Sequence, residues 1–252
     1  MIPNILHQIW IQGYDGIPDD LKKFHTNCQK INNNFLHILW DDNKIRKLLI
    51  DNFDPEYLET YDYFKVPAQK ADFARYAILY LYGGIYLDMD MVCRKNLEPL
   101  LQYNFFFTSY MFPKIFKRFL NGIIGSRKNH PIFLIIFKNI FERKDRSNDI
   151  TNSTGTGLFY SSIMEYVKQN PNHDLTVLDK KFLHPCNLYN DESCPYTCKN
   201  CFVAHTNYSS WSPSLRICKK ILKNKYWILL LVLVIIIIIV MIILILNINS
   251  QN

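Results

Sequence analysis

Two aspartates separated by a single residue, Asp88 and Asp90, are the side chains of this 252-residue chain best suited to chemistry. In an extended segment successive side chains alternate faces, so both carboxylates project to one side and Met89 to the other. Two carboxylates at this spacing can share a divalent cation, Mn²⁺ or Mg²⁺, which completes its shell with phosphate oxygens and water. An isolated Asp-X-Asp also occurs as solvated acids at a strand end, so the flanking residues have to distinguish the two interpretations.

An acid and a base precede this pair at helical spacing. Asp72 and Arg75 are three residues apart, and residues at that spacing share one face of a helix. The simple interpretation is a surface ion pair worth less than about 1 kcal/mol. The functional interpretation is that both side chains face the strand end that carries the aspartates and take part in binding.

The segments that position these residues alternate between strands and helices. Apolar runs bounded by turn residues predict strands at 4–11, 35–40, 85–88 and 105–110. Helical spacing of apolar residues predicts helices at 19–30, 68–82, 131–141 and 157–169. Asp41 or Asp42 is placed to cap a further helix, which carries Ile45, Leu48 and Leu49. Pro67 starts the helix at 68–82, and the pair Gly83-Gly84 ends it. This order predicts one α/β domain, residues 1–215, with a mostly parallel sheet.

A basic segment and a long apolar run form the C-terminus. Residues 227–246 contain no charge and no proline, and as a helix they would span roughly 30 Å, which predicts a transmembrane helix followed by a short tail, 247–252. Residues 216–226 carry five of the seven net positive charges and no acid. Such a segment beside a membrane span predicts contact with anionic lipid, and nucleic acid is not implied as a partner.

The sequence leaves open on which side of an endomembrane this single-pass, C-terminally anchored protein places its domain. The positive-inside rule, and an N-terminus that opens without a signal peptide, favour the cytosol. Seven cysteines and two Asn-X-Ser/Thr sequons, at Asn152 and Asn207, favour the lumen.

Four cysteines lie within sixteen residues near the end of the domain: Cys186, Cys194, Cys198 and Cys201. They can bind a structural Zn²⁺, form two disulfides or remain free thiols. The spacing matches no recognised zinc finger, and all three hypotheses stay open. None of them gives these cysteines a part in the chemistry.

The segment from Lys70 to Cys93 resembles the signature of the glycosyltransferases that contain an Asp-X-Asp sugar-binding region, glycosyltransferase family 32. That family includes fungal initiating mannosyltransferases and the mannosyltransferases that act on inositol phosphoceramide. The resemblance is carried by Ala71-Asp72, Arg75-Tyr76, Leu79-Tyr80, Tyr82-Gly83-Gly84, Tyr86-Leu87-Asp88 and Asp90.

This resemblance implies a GT-A type fold, a single α/β domain with a mixed, largely parallel sheet flanked by helices. The donor site would lie at the carboxyl ends of the strands, as is general for open α/β sheets. It further implies Mn²⁺ or Mg²⁺ as cofactor and transfer of a hexose with retention of configuration. The first expectation for the donor is GDP-mannose, the second a UDP-hexose, and the acceptor is expected to be a lipid or a glycan.

Individual residues acquire roles through the resemblance. Asp72 would accept hydrogen bonds from sugar hydroxyls, and Arg75 would neutralise donor phosphate. Trp10 lies in a segment similar to the opening strand of the family and would stack on the donor base, although a tryptophan there is also compatible with an ordinary core position. Thr154-Gly155 resembles a Thr-Gly-Pro element, with Thr156 in place of the usual proline.

A C-terminal loop that closes over the donor pyrophosphate is similar to the segment with His205, Asn207, Ser209 and Trp211. His205 or Ser209 would then supply a third metal ligand, and Trp211 would donate its indole N–H to the β-phosphate. A single histidine is more often structural, so these roles are hypotheses. Glycosylation of Asn207 would block such a site, which weighs slightly against a lumenal domain.

Two other functional classes remain. A metal-dependent phosphohydrolase would require further ligands around a second metal, and the sequence shows no such cluster. A membrane adaptor with a decayed nucleotide-sugar site would not need Asp72, Arg75, Asp88 and Asp90, all of which are present. The sequence does not indicate the oligomeric state.

Overall fold

The computed structural model describes residues 1–109, 115, 117–146, 148–186, 193–206, 208 and 225–249, and within the last range the side chains of residues 229–243. Three residues predicted to lie in the closing loop, Asn207, Ser209 and Trp211, are outside the described residues. So are residues 216–224 of the basic segment.

A six-stranded mixed sheet is the centre of a compact unit that covers Met1–Cys186 and Glu192–Thr206. The strands of the unit are β1 Ile5–Ile9, β2 Leu36–Trp40, β3 Gly84–Leu87, β4 Met91–Cys93, β5 Phe105–Ser109, β6 Phe119–Ser126, β7 Leu175–Leu178 and β8 Val203–His205. Six of them form the sheet in the order β2-β1-β3-β6-β5-β7, with β4 and β8 in a separate ribbon. Three neighbouring pairs are parallel and two antiparallel, so the expected mixed, largely parallel α/β sheet is confirmed.

Helices connect the strands and cover both faces of the sheet. The helices of this unit are α1 Asp19–Ile31, α2 Asp42–Asn52, α3 Pro55–Tyr63, α4 Pro67–Tyr82, α5 Ile132–Arg143, α6 Ile150–Ser153, α7 Thr156–Gln169, α8 Lys180–Leu183 and α9 Cys194–Thr197. A further helix, α10 Lys225–Asn249, belongs to a separate unit. Short 3₁₀ helices lie at Tyr14–Gly16, Glu98–Gln102 and Lys144–Arg146. The helices predicted at 19–30, 68–82, 131–141 and 157–169 agree with these bounds to within a few residues.

Local signals explain the start of α2 and both ends of α4, the helix that carries Asp72 and Arg75. Asp41 caps α2 by accepting the backbone N–H of Lys44 at 2.9 Å. Helix α4 starts at Pro67 and ends at Gly83 and Gly84, which have φ angles of +64° and +96°. Only glycine adopts these angles without strain, so the pair reverses the chain directly from α4 into β3.

Two apolar layers pack against the sheet. One cluster joins β1, β3, β5 and β6 to helices α2–α5 and α7, and Phe73, Tyr76 and Phe137 are among its fully buried side chains. The second cluster lies on the opposite face and includes Leu6, Leu87 and residues of α1. Helix α4 therefore packs on the face toward which Tyr86 points, because Tyr86 belongs to the first cluster.

Strand β6 and helix α3 are absent from the sequence predictions. All eight residues of β6 are buried, and the strand lies between β3 and β5, antiparallel to both. It contains Asn121, Gly122 and Gly125, residue types that are depleted in strands. Gly125 is required because a Cβ there would lie 2.0 Å from the Phe106 ring.

Six of the seven cysteines form disulfides, and the seventh, Cys218, is outside the described residues. Cys28 on α1 pairs with Cys93 on β4, Cys186 pairs with Cys194, and Cys198 pairs with Cys201. The zinc hypothesis for the four-cysteine segment is therefore wrong, because its sulfurs are consumed in two pairs.

Helix α10 covers Lys225–Asn249 and contains the whole apolar run, 227–246, of which the side chains are described from 229 to 243. Among the described residues, no helix is long and apolar enough to cross a membrane.

Candidate active site

Two carboxylates and an imidazole converge where β3 ends. Asp88 and Asp90 follow Leu87, the last residue of β3, and the backbone N–H of Asp88 donates to the carbonyl of Gly122 on β6 at 2.8 Å. One ligand atom each from Asp88, Asp90 and His205 lies within 4.8 Å of the other two. Nε2 of His205 is 3.2 Å from Oδ1 of Asp90.

The ribbon of β4 and β8 brings His205 to this position. β4 begins directly after Asp90, and its first residue, Met91, pairs with His205 in the antiparallel register. The next residue, Thr206, donates its backbone N–H and its hydroxyl to the carbonyl of Asp90 at 2.9 and 2.8 Å. Two segments more than 100 residues apart are thus joined at the aspartates.

The three side chains fit a divalent metal. Carboxylate oxygens and one imidazole nitrogen are ligands that Mn²⁺ accepts, and Mg²⁺ accepts the oxygens. The side chains of Asp88, Asp90 and His205 are 27%, 17% and 18% exposed, which leaves an open side for water or phosphate oxygens. Ser209, the other predicted third ligand, is outside the described residues.

A buried polar network surrounds the predicted acid of α4. Oδ1 of Asp72 accepts from Arg75 at 2.9 Å and from the amide of Asn121 at 3.0 Å. Its Oδ2 accepts from the Thr154 hydroxyl at 3.0 Å. The Asn121 amide also donates to the hydroxyl of Tyr76, and that hydroxyl donates to the carbonyl of Thr154. Asp72 and Arg75 are 7% and 5% exposed, so the surface ion-pair interpretation is wrong.

Arg75 links this network to the aspartates. Its Nη2 is 3.4 Å from Oδ1 of Asp88, and its Nη1 donates to the carbonyl of Asn121 at 2.6 Å. The guanidinium lies over the ring of Tyr86 with a distance of 4.5 Å to the centroid. The structure therefore places Arg75 among carboxylates, and its contact with donor phosphate stays a prediction.

Trp10 follows β1 at the carboxyl edge of the sheet, where the resemblance places the donor base. Its backbone N–H donates to the carbonyl of Trp40, and its side chain is partly buried. The indole N–H is buried without a hydrogen-bond partner in the described part of the chain, and so is the amide nitrogen of Gln8, two residues earlier. The amide oxygen of Gln8 is 2.6 Å from Nδ1 of His25 on α1. A buried donor without a partner lowers the free energy of unfolding unless a ligand accepts its hydrogen bond. The two unpaired donors of Trp10 and Gln8 therefore fit an acceptor-rich ligand such as a nucleobase.

Four further residues of the site were not predicted as functional: Tyr86, Asn121, Gln8 and His184. Tyr86 lies on the Asp88 face of β3, and strand periodicity could have identified it. His184 stacks on His205 with 5.0 Å between ring centroids, and burial together with the nearby His205 lowers its pKa to about 3. No sequence signal marks Asn121 or His184, because long-range packing brings them to the site.

An α/β unit with paired aspartates at the carboxyl edge of a mixed sheet defines a protein of the GT-A class. The PaToxG glycosyltransferase structure has a similar fold, with a TM-score of 0.50 at 17% identity, over 66% of this chain and 70% of the other.

Residues 18–107 match the family described as glycosyltransferase sugar-binding region containing DXD motif. An uncharacterised glycosyltransferase of Acanthamoeba polyphaga mimivirus is 60% identical over 92% of each chain. The chain belongs to this family of glycosyltransferases. Inositol phosphoceramide mannosyltransferase 3 of Schizosaccharomyces pombe is 33% identical over 55% of this chain, which covers 37% of the length of that relative.

Proposed function

We propose that the protein is a metal-dependent hexosyltransferase that moves a sugar from a nucleotide-sugar to a lipid or glycan acceptor. The observation that carries this proposal is the cluster of Asp88, Asp90 and His205 at the carboxyl edge of the sheet. The first candidate donor is GDP-mannose, because a relative at 33% identity is named a mannosyltransferase of inositol phosphoceramide. A UDP-hexose is the second candidate.

Different residues of the chain would bind the metal, the base and the sugar of the donor. A bound Mn²⁺ or Mg²⁺ would neutralise the diphosphate leaving group as a Lewis acid. Asp88, Asp90 and His205 hold it, and Ser209 remains a further candidate ligand. Trp10 would stack on the base, and Asp72 would accept hydrogen bonds from the sugar hydroxyls. Transfer with retention fits a front-face reaction in which the departing phosphate takes the acceptor proton.

Residues outside the described part of the chain complete the proposed donor site. Asn207 and Ser209 belong to the segment that directly follows Thr206, whose two hydrogen bonds hold the Asp90 carbonyl. Thr206 lies beside the metal ligands, which makes the sequence that follows it a candidate for covering the pyrophosphate. Within it, Trp211 would donate its indole N–H to the β-phosphate.

We further propose that residues 227–246, whose side chains the structure describes only from 229 to 243, anchor the chain to an endomembrane. Residues 227–246 are uninterrupted by a charge, and a basic segment, 216–226, precedes them. An anchored enzyme reaches a lipid acceptor directly, which agrees with the acceptor class proposed here.

The catalytic unit occupies the oxidising, lumenal side of that membrane. Three cysteine pairs support this assignment, because disulfides persist in oxidising compartments and are rare in the cytosol. The positive-inside rule applied to the basic segment, and the sequon at Asn207 within the proposed donor site, argue for the opposite side. Alkylation of the chain from intact cells, followed by mass measurement with and without reduction, decides between them. Six cysteines that are protected from alkylation until reduction support the lumen, and seven cysteines that are alkylated without reduction contradict it.

The decisive experiment measures donor hydrolysis and transfer by the purified full-length chain in a mild detergent. GDP-mannose, UDP-glucose and UDP-galactose are each supplied with Mn²⁺ or with EDTA, for the wild type, Asp90→Ala and Asp20→Ala. Asp20 is a matched control because it is an exposed acid on α1 paired only with Lys23 among the described residues.

Turnover of one donor with Mn²⁺, lost with EDTA and in Asp90→Ala but kept in Asp20→Ala, supports the proposal and identifies the sugar. Donor binding without any turnover on any acceptor offered would instead support the adaptor hypothesis. Hydrolysis of simple phosphate esters in preference to nucleotide-sugars would support a phosphohydrolase.

A further inference from the structure

We infer that Tyr86 is a positioning residue that sets the orientation of the Asp88 carboxylate for metal binding. Tyr86 and Asp88 are two residues apart at the end of β3, so their side chains leave the strand on the same face. The hydroxyl of Tyr86 donates to Oδ1 of Asp88 at 2.6 Å. This distance is that of a strong hydrogen bond to a charged acceptor.

Tyr86 is the nearest side-chain donor to Asp88 among the described residues. Arg75 approaches the same oxygen only to 3.4 Å, and its Nη2 lies closer to Asp72, at 2.9 Å. On the other side, a Cβ at Gly122 would lie 2.6 Å from Oδ2 of Asp88. The Tyr86 hydroxyl therefore hydrogen-bonds to Oδ1 of Asp88, and the absence of a side chain at Gly122 leaves space for Oδ2.

The hydroxyl is itself held in place. Tyr86 is 2% exposed, and its ring lies beneath the Arg75 guanidinium, 4.5 Å from the centroid. The backbone of Tyr86 pairs with His7 of β1 and with Ile124 of β6.

This role follows from the geometry of the carboxylate. Rotation about the last side-chain bond of an aspartate is soft, so an unsupported carboxylate samples many orientations. Hydrogen bonds to metal-ligating carboxylates orient them, and their loss typically reduces metal affinity about 10- to 100-fold. The inference rests on the proposed metal-dependent function, since it gives Tyr86 a role only if Asp88 binds metal.

The test compares Tyr86→Phe with Tyr61→Phe in the full-length chain in detergent. Tyr61 is a matched control, because it is also buried, also lies beneath cationic side chains, and donates to the carboxylate of Asp42 at 2.7 Å, away from the aspartate pair. Phenylalanine keeps the ring in both variants and removes only the hydroxyl. Mn²⁺ affinity is measured by calorimetry with UDP or GDP present, and thermal stability by circular dichroism.

Tyr86→Phe is expected to weaken Mn²⁺ binding about 10-fold or more. Tyr61→Phe is expected to lower thermal stability as much as Tyr86→Phe does, and to leave the Mn²⁺ affinity unchanged. Equal Mn²⁺ affinity, within about twofold, in the wild type and Tyr86→Phe would overturn the inference and leave the proposed function intact. A wild-type chain that binds no Mn²⁺ would overturn both.

Discussion

His7 provides a pH-dependent contribution to folding stability that can be isolated by one substitution. It lies on β1 with no exposed surface. Its Nδ1 accepts the indole N–H of Trp40 at 3.2 Å, so its Nε2 carries the proton and donates to the carbonyl of Gly83 at 2.9 Å. Both nitrogens are therefore satisfied in the neutral ring. A second proton would have to enter at Nδ1, against the N–H of Trp40.

The magnitude follows from the pKa of this ring. Burial lowers the pKa of His7 from 6.5 to about 4. Between these two values the unfolded chain binds the proton and the folded chain does not, so the stabilisation is complete above pH 6.5 and is lost as the pH falls. Each pH unit in this window costs about 1.4 kcal/mol, so the loss from this group is about 2 kcal/mol at pH 5 and reaches about 3 kcal/mol below pH 4.

The assay is urea unfolding of the full-length chain in a non-ionic detergent with EDTA, followed by tryptophan fluorescence, at pH 7.5 and pH 5.0. The comparison is between the wild type and His7→Gln, which cannot titrate. Any fixed cost of the substitution cancels in the difference between the two pH values. The free energy of unfolding of the wild type should fall about 2 kcal/mol more than that of the variant.

A fall of the same size in both proteins, within about 0.5 kcal/mol, would refute the assignment of this pH dependence to a buried neutral His7. If His7→Gln does not fold, the ring titration of the wild type by NMR gives the same answer. A His7 pKa near 6.5 in that titration would contradict the burial argument.

Three further predictions concern the site and its supports. Asp72→Asn removes the buried charge partner of Arg75 and should lower the free energy of unfolding by about 3 kcal/mol in urea titrations. A decrease in that free energy of less than about 1 kcal/mol would contradict the structural role of the pair. Gly122→Ala places a Cβ 2.6 Å from Oδ2 of Asp88, so calorimetry should show Mn²⁺ binding weakened about 10-fold. An unchanged Mn²⁺ affinity would mean that the Asp88 carboxylate has more room than the structure indicates. Cys28→Ser removes a disulfide between cysteines 65 positions apart, so the urea midpoint should fall by the equivalent of about 4 kcal/mol relative to the oxidised wild type. An unchanged midpoint would show that this disulfide does not constrain the chain.

Much of the fold could be predicted from local signals. Pro67, the helical spacing of apolar residues that follows it, and the stop at Gly83 and Gly84 define α4 to within a residue. The same holds for the cap at Asp41, whose side chain accepts the N–H of Lys44. These signals act within one turn of the chain, so the sequence carries them completely.

Strand β6 could not be predicted in this way. Its glycines and asparagine have low intrinsic preference for strands. Its position is decided by neighbours, since β3 and β5 both require a partner strand and Gly125 alone leaves space for Phe106.

The sequence by itself determined the paired aspartates, the acid and base of α4 and the family to which they belong. Only the tertiary structure decided which groups surround them. Asn121 reaches Asp72 from 49 residues away, and His205 reaches Asp90 through the pairing of β4 with β8. The physical reason is that helix and strand periodicity place side chains a few residues apart, whereas the distance between remote segments is determined by sheet order, by packing and by cross-links such as Cys28–Cys93, which have no local signature.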